Sequence, residues 1–125
     1  MIAIAMDLVT KVRDAEHWTQ VLESSDKKLV VVDVHKDWCG SCKIMEPTYK
    51  RIATEIDHAE RRLVFATLNV GLNVDEIEDT GGCKPRFLFF RDRKQVADVE
   101  GANAPLLEQQ IKEHLSSAEN DDDEI

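Results

Sequence analysis

Apolar and polar positions follow two rhythms along the chain. Residues 8–12 alternate apolar and polar, the pattern of a strand with one covered face. From Asp14 the spacing becomes helical: Trp18, Val21 and Leu22 share a face, Asp14 stands as the side-chain cap, and Ser24-Ser25-Asp26 ends the run. Residues 29–34 are an almost unbroken β-branched run, as expected of a central strand covered on both faces. Cys42, Met45, Tyr49, Ile52, Ala53 and Ile56 then recur at helical spacing. They predict a long helix that begins at or beside the cysteines, with Pro47 as a kink. Residues 63–70 read as another buried strand, and residues 75–79 as a short helix broken by Gly81-Gly82.

The final third changes character. Residues 87–90 and 95–99 are short strands, close enough to form an antiparallel hairpin. The connecting Arg91-Asp92-Arg93-Lys94 lacks the Asn-Gly or Asp-Gly pair that usually marks a tight turn. From Pro105, which suits a first helical turn, Leu107, Ile111 and Leu115 repeat four apart and predict a last amphipathic helix. The order is β-α-β-α-β-α-β-β-α, an α/β domain whose parallel half comes first. Its expected extent is residues 1–116, with 117–125 as an acidic, disordered tail.

Length and composition narrow the classes. A chain of 125 residues, 42% apolar and 33% charged, suits one globular domain that folds without disulfides. Its formal charge of −9 argues against nucleic acid or an anionic membrane as the main partner, since phosphate binding needs surplus Lys and Arg. Five of the twenty-five acids fall in the tail, Glu119 and Asp121 to Glu124, so the rest of the chain is only mildly acidic. The longest apolar run, residues 1–6, is far too short to span a bilayer and lacks the basic start of a secretory signal. The expected compartment is the cytoplasm, with no membrane partner.

Three cysteines, Cys39, Cys42 and Cys83, are an odd number and too few for a secreted disulfide framework. Cys39 and Cys42 are spaced C-x-x-C at a predicted helix start. Unpaired N–H groups and the positive end of the helix dipole favour a thiolate there, more at the first cysteine than at the second. Cys39 is therefore the candidate nucleophile. Cys42, about one turn on, is the candidate resolving thiol. With Cys83 and His35 the pair also has the composition of a Cys₃His zinc site, a minor alternative. Cys83 on its own reads as a buried, inert thiol or, if exposed, as a regulatory one. The expectation is no metal and no cofactor.

Asp33, Trp38-Cys39-Gly40-Ser41-Cys42-Lys43, Pro47, Lys84-Pro85 and Gly101 stand in the order and spacing of the thioredoxin family, which the chain resembles from about residue 8 to 115. The resemblance implies a single thioredoxin-fold domain, a central mixed sheet flanked by helices. It implies that Asp33 is the family's buried acid, its pKa raised by burial, passing a proton to or from Cys42. It further implies that Pro85 is the family's cis-proline, shaping a groove for an extended peptide with Trp38, Gly40, Ser41, Lys84 and Arg86 around it. The departures are Ser41 for proline, Arg86 for threonine, His35 for an aromatic residue and Thr67 for a lysine. Lys36, Lys43, Lys84 and Arg86 give that groove an expected basic rim.

Cys83-Lys84-Pro85, Phe87-Leu88-Phe89 and the stretch 101–107 resemble one branch more than free thioredoxins. That branch holds the thioredoxin-like light chains of axonemal outer-arm dynein and the thioredoxin domains of thioredoxin–nucleoside diphosphate kinase proteins. The resemblance implies a redox-sensitive light chain, docked on a dynein heavy chain or another axonemal dynein subunit in the cilium or flagellum, with redox partner proteins besides. The rivals are a free cytosolic disulfide reductase and a scaffold whose dithiol is idle.

Overall fold

The computed structural model describes residues 9–35, 46–56, 59–72, 74, 77, 86–101 and 103–115. Strand β1 (Val9–Lys11) leads to helix α1 (Ala15–Glu23) and a 3₁₀ turn at Ser24–Asp26. Then come β2 (Leu29–His35), α2 (Glu46–Glu55), the short α3 (Ala59–Arg62) and β3 (Leu63–Asn69), which ends in a 3₁₀ turn at Val70–Leu72. Strands β4 (Arg86–Arg91) and β5 (Lys94–Glu100) and helix α4 (Ala104–His114) are the last described elements. The strands form one sheet in the order β1-β3-β2-β4-β5. β1, β3 and β2 run parallel, and β4 and β5 follow as an antiparallel pair.

β2 and β4 owe their unbroken apolar character to their places inside this sheet, where both faces are covered. Val30, Val32 and Val34 of β2 pack with Trp18, Val21 and Leu22 of α1 and with Leu88 and Phe90 of β4. Trp18 meets Phe90 edge to face at 5.5 Å between ring centroids, which anchors α1 on the sheet. On the opposite face Leu29 and Val31 pack with Tyr49 and Ile52 of α2 and with Leu107 and Ile111 of α4. Tyr49 stacks on Phe65 at 5.1 Å and meets Phe87 edge to face at 6.0 Å.

The Asp14 cap follows the sequence, and Asn103 adds a second cap that the sequence pattern did not single out. Asp14 accepts from the N–H of His17 at 2.8 Å and starts α1, and Asn103 accepts from the N–H of Leu106 at 3.1 Å and starts α4. The shortest elements depart from the expected pattern. α3 and the two 3₁₀ turns were not foreshadowed, because four or three residues carry no readable period. His17 and His114 are half-buried, and the His114 ring lies 6.3 Å from that of Phe89. The predicted start of the α2 helix at the cysteines and the predicted helix at 75–79 lie outside the described residues. Pro47 is the second residue of α2 and is exposed.

The hairpin turn resolves the uncertainty of its sequence. Arg91 pairs with Lys94, so the loop is the two residues Asp92 and Arg93, and both have positive φ, 53° and 65°. This is the conformation of a type I′ turn, whose twist matches that of the strands it joins. Neither residue is the glycine that such φ values favour. What holds them is distant in sequence: Asp92 N–H donates to the Ser25 carbonyl at 2.8 Å and Arg93 N–H donates to Ser25 Oγ at 2.7 Å.

Candidate functional site

The parallel strands fix one edge of the sheet as the chemical edge, because ligands in open α/β sheets bind outside the carboxyl ends of the strands. β1, β3 and β2 end there at Lys11, Asn69 and His35, and the antiparallel β4 begins there at Arg86. Cys39, Cys42, Trp38, Gly40 and Ser41, and equally Cys83, Lys84 and Pro85, lie outside the described residues. Their points of attachment do not. The first group follows His35 at the end of β2, and the second precedes Arg86 at the start of β4. Val34 and Arg86 are register partners on these neighbouring strands.

Asp33 and Arg86 are the two predicted site residues that are described. Asp33 sits in β2 on the face shared by Leu29, Val31 and Phe87, and only 5% of it is exposed. Among the described residues it and Ser25 are the buried polar side chains. Its register partners are Thr67 on β3 and Phe87 on β4. A carboxyl in so apolar a row is costly to ionise, since desolvation penalises the charged form. The backbone carbonyl of its neighbour Thr67 accepts from Val12 N–H at 2.9 Å.

Arg86 is half-buried at the head of β4, and its guanidinium lies 3.5 Å from the Asp98 carboxylate on β5. Part of the positive charge expected of it at the groove rim is therefore offset within the fold. His35 ends β2 half-buried. It is the described member of the possible Cys₃His set, whose three cysteines lie outside the described residues.

The sequence reading missed a cleft of about 440 Å³ at the same edge, lined by Lys11, Val12, Arg13, His35, Asn69 and Leu72. No spacing rule would have found it. Its polar groups come from the ends of three different strands and the β1–α1 connection, and the topology alone brings them together. A second depression lies along one side of α4, between Pro105 and Glu113. Among the described residues no helix is long and apolar enough to cross a membrane.

The model of the family described as thioredoxin matches residues 9–113. The flagellar outer-arm dynein 14 kDa light chain of Chlamydomonas reinhardtii is 37% identical over 109 residues, 86% of this chain and 82% of that one. The thioredoxin domain-containing protein 3 homolog of Ciona intestinalis is 40% identical over 103 residues, 82% of this chain but only 15% of that much longer protein. Among solved structures, thioredoxin NaTrxh of Nicotiana alata superposes with a TM-score of 0.69 at 28% identity, covering 86% of this chain and 93% of its own. The buried strand acid, the parallel-then-antiparallel sheet and these matches agree, and the chain belongs to the thioredoxin family.

Proposed function

We propose that this protein is a thioredoxin-like light chain of axonemal outer-arm dynein that exchanges disulfides through Cys39 and Cys42. The observation that carries the first half is the match to the Chlamydomonas light chain, which spans 86% of this chain and 82% of that one. The docking partner is a dynein heavy chain or another subunit of the arm, and the site of action is the axoneme of a cilium or flagellum.

The exchange follows from thiol chemistry. The Cys39 thiolate attacks one sulfur of a partner disulfide; the Cys39–partner bond forms as the partner's S–S bond breaks, and the departing thiolate takes up a proton. Cys42 then gives its proton to Asp33 and attacks the Cys39 sulfur. The Cys39–Cys42 bond forms, and the second partner thiolate leaves and is protonated. The partner is reduced by two electrons, and the dithiol is oxidised by two. The burial of Asp33 supports its part, because a desolvated carboxyl holds a proton more readily than an exposed one. Trp38, Gly40, Ser41, Lys84, Pro85 and Arg86 flank the exchange, and Cys83 is a neighbouring thiol.

Two measurements test the halves separately. Gentle isolation of the protein from ciliary extract is expected to bring down a heavy chain in one sedimenting complex; sedimentation at the monomer mass alone would overturn the dynein assignment. A Cys42→Ser variant is expected to hold partners as mixed disulfides through Cys39, released by reductant. No reducible adduct under mild oxidation would remove the redox role. The solved Nicotiana thioredoxin, matched over 93% of its length, favours a second reading as a free disulfide reductase, in which adducts form but no complex sediments.

A further inference from the structure

The cleft at the ends of β1, β3 and β2 concentrates positive charge in an acidic protein. Lys11 and Arg13 are exposed cations on its wall, His35 is half-buried beside them, and no lining residue among those described is an acid. The whole chain carries −9. Arg13 is held in place rather than loose: its backbone N–H donates to His17 Nδ1 at 3.1 Å, and its Nε lies 3.5 Å from the same nitrogen. Asn69 is also fixed, its Oδ1 accepting from Gly71 N–H at 2.9 Å. The nearest acid along the chain, Asp14, is engaged in capping α1, where its Oδ1 accepts from His17 N–H.

We propose that this cleft is a binding site for an acidic polypeptide segment, taking two carboxylates spaced one residue apart. Spacing selects this ligand. β1 and β2 are separated by β3, so Lys11 and His35 sit on strands roughly 10 Å apart. A single compact oxyanion cannot reach both walls. Alternate side chains of an extended peptide point the same way roughly 7 Å apart, and two glutamates reach across the cleft. Its volume lies within the range of about 300–1,000 Å³ typical of ligand sites. The chain lacks the surplus of Lys and Arg that a long polyanion needs, which favours a short acidic segment held by local cations over nucleic acid. The site stands beside the strand that leads into Cys39 and Cys42 but works whether or not they react.

The test is an NMR titration of the full chain with the peptide acetyl-Gly-Glu-Gly-Glu-Gly-amide. The expected result is a saturable shift of the amides of residues 11–13, 35 and 69–72, weakened by added salt. The glutamine version of the peptide is expected to leave those amides unmoved. The exposed pair Lys11→Gln and Arg13→Gln should weaken binding at least tenfold. Lys28→Gln with Lys94→Gln, which removes the same charge elsewhere, should leave it unchanged. Equal binding of the glutamine peptide, equal loss in the remote pair, or no loss in the cleft pair would overturn the proposal. So would saturation by inorganic phosphate without binding of the peptide, which would make the cleft a free-ion site. Because no thiol takes part, failure here leaves the dithiol reading untouched, and failure of Cys42→Ser trapping leaves this one untouched.

Discussion

Ser25 is fully buried in the 3₁₀ turn after α1, and its hydroxyl makes the bond that reaches the hairpin tip. Oγ donates to the Leu22 carbonyl and accepts from the N–H of Arg93, while its own carbonyl accepts from the N–H of Asp92. Both turn residues hold positive φ, a conformation that costs an L-residue roughly 1–2 kcal/mol. Ser25→Ala removes one of the two bonds that offset this cost and leaves the Arg93 N–H without its acceptor. An N–H that loses its acceptor in a part-buried place costs about 1–3 kcal/mol. For a domain of this size that is a fall in Tm of roughly 4–12 °C, between the values for smaller and larger domains. The Arg93–Asp26 ion pair, 3.0 Å long but half exposed at both ends, is too well solvated to compensate.

The assay is urea unfolding followed by circular dichroism, with Ser24→Ala as the matched control. Ser24 Oγ donates only to the local Val21 carbonyl, so that control should lose less than about 0.5 kcal/mol, as expected of a substitution away from any special contact. Amide exchange supplies a second readout that a general loosening would not mimic. In Ser25→Ala the Arg93 amide should exchange faster, while the Asp92 amide, bonded to a backbone carbonyl, should keep its protection relative to global unfolding. Equal losses in the two serine variants, or an unchanged Arg93 amide, would refute the claim that this hydroxyl holds the turn.

Two further outcomes are expected. Asn103→Ala should cost about 1 kcal/mol through loss of the cap on α4, with Asn103→Asp retaining the stability, both read from the urea midpoint at constant slope. Asp33→Asn should leave the formation of mixed disulfides through Cys39 intact while slowing their resolution by Cys42 by roughly a hundredfold, measured as adduct lifetime in stopped-flow or quenched reactions. An adduct lifetime equal to that of the unaltered chain would remove Asp33 from the proton path.

What the sequence made legible were features in which neighbours in the chain decide the outcome. Residues 29–34 announced a central strand because a β-branched run has few other places to go, and Asp14 and Pro105 announced helix starts because each acts on the first turn beside it. Asp33 was legible through the family resemblance, which places the buried acid there. The illegible features depend on distant partners. Asp92-Arg93 is a poor sequence for a type I′ turn by itself, and it adopts one because Ser25 supplies acceptors from 67 and 68 positions away. Arg86 read as a free cation on a rim, yet the partner that offsets its charge, Asp98, is set by the β4–β5 register. The basic cleft follows the same rule at larger scale. Lys11, Arg13 and Asn69 carry no signal where they stand in the chain, and with His35 they become a site only because parallel strands end at one edge. That edge also carries the end of β2 and the start of β4, from which the two cysteine-bearing stretches depart. An acidic partner held by the cleft would thus be tethered next to the strand that feeds the dithiol. Binding there would raise the local concentration of any disulfide the partner carries without altering the thiols themselves. If so, neutralising Lys11 and Arg13 should slow capture of an acidic disulfide peptide by Cys42→Ser and leave capture of a neutral one unchanged.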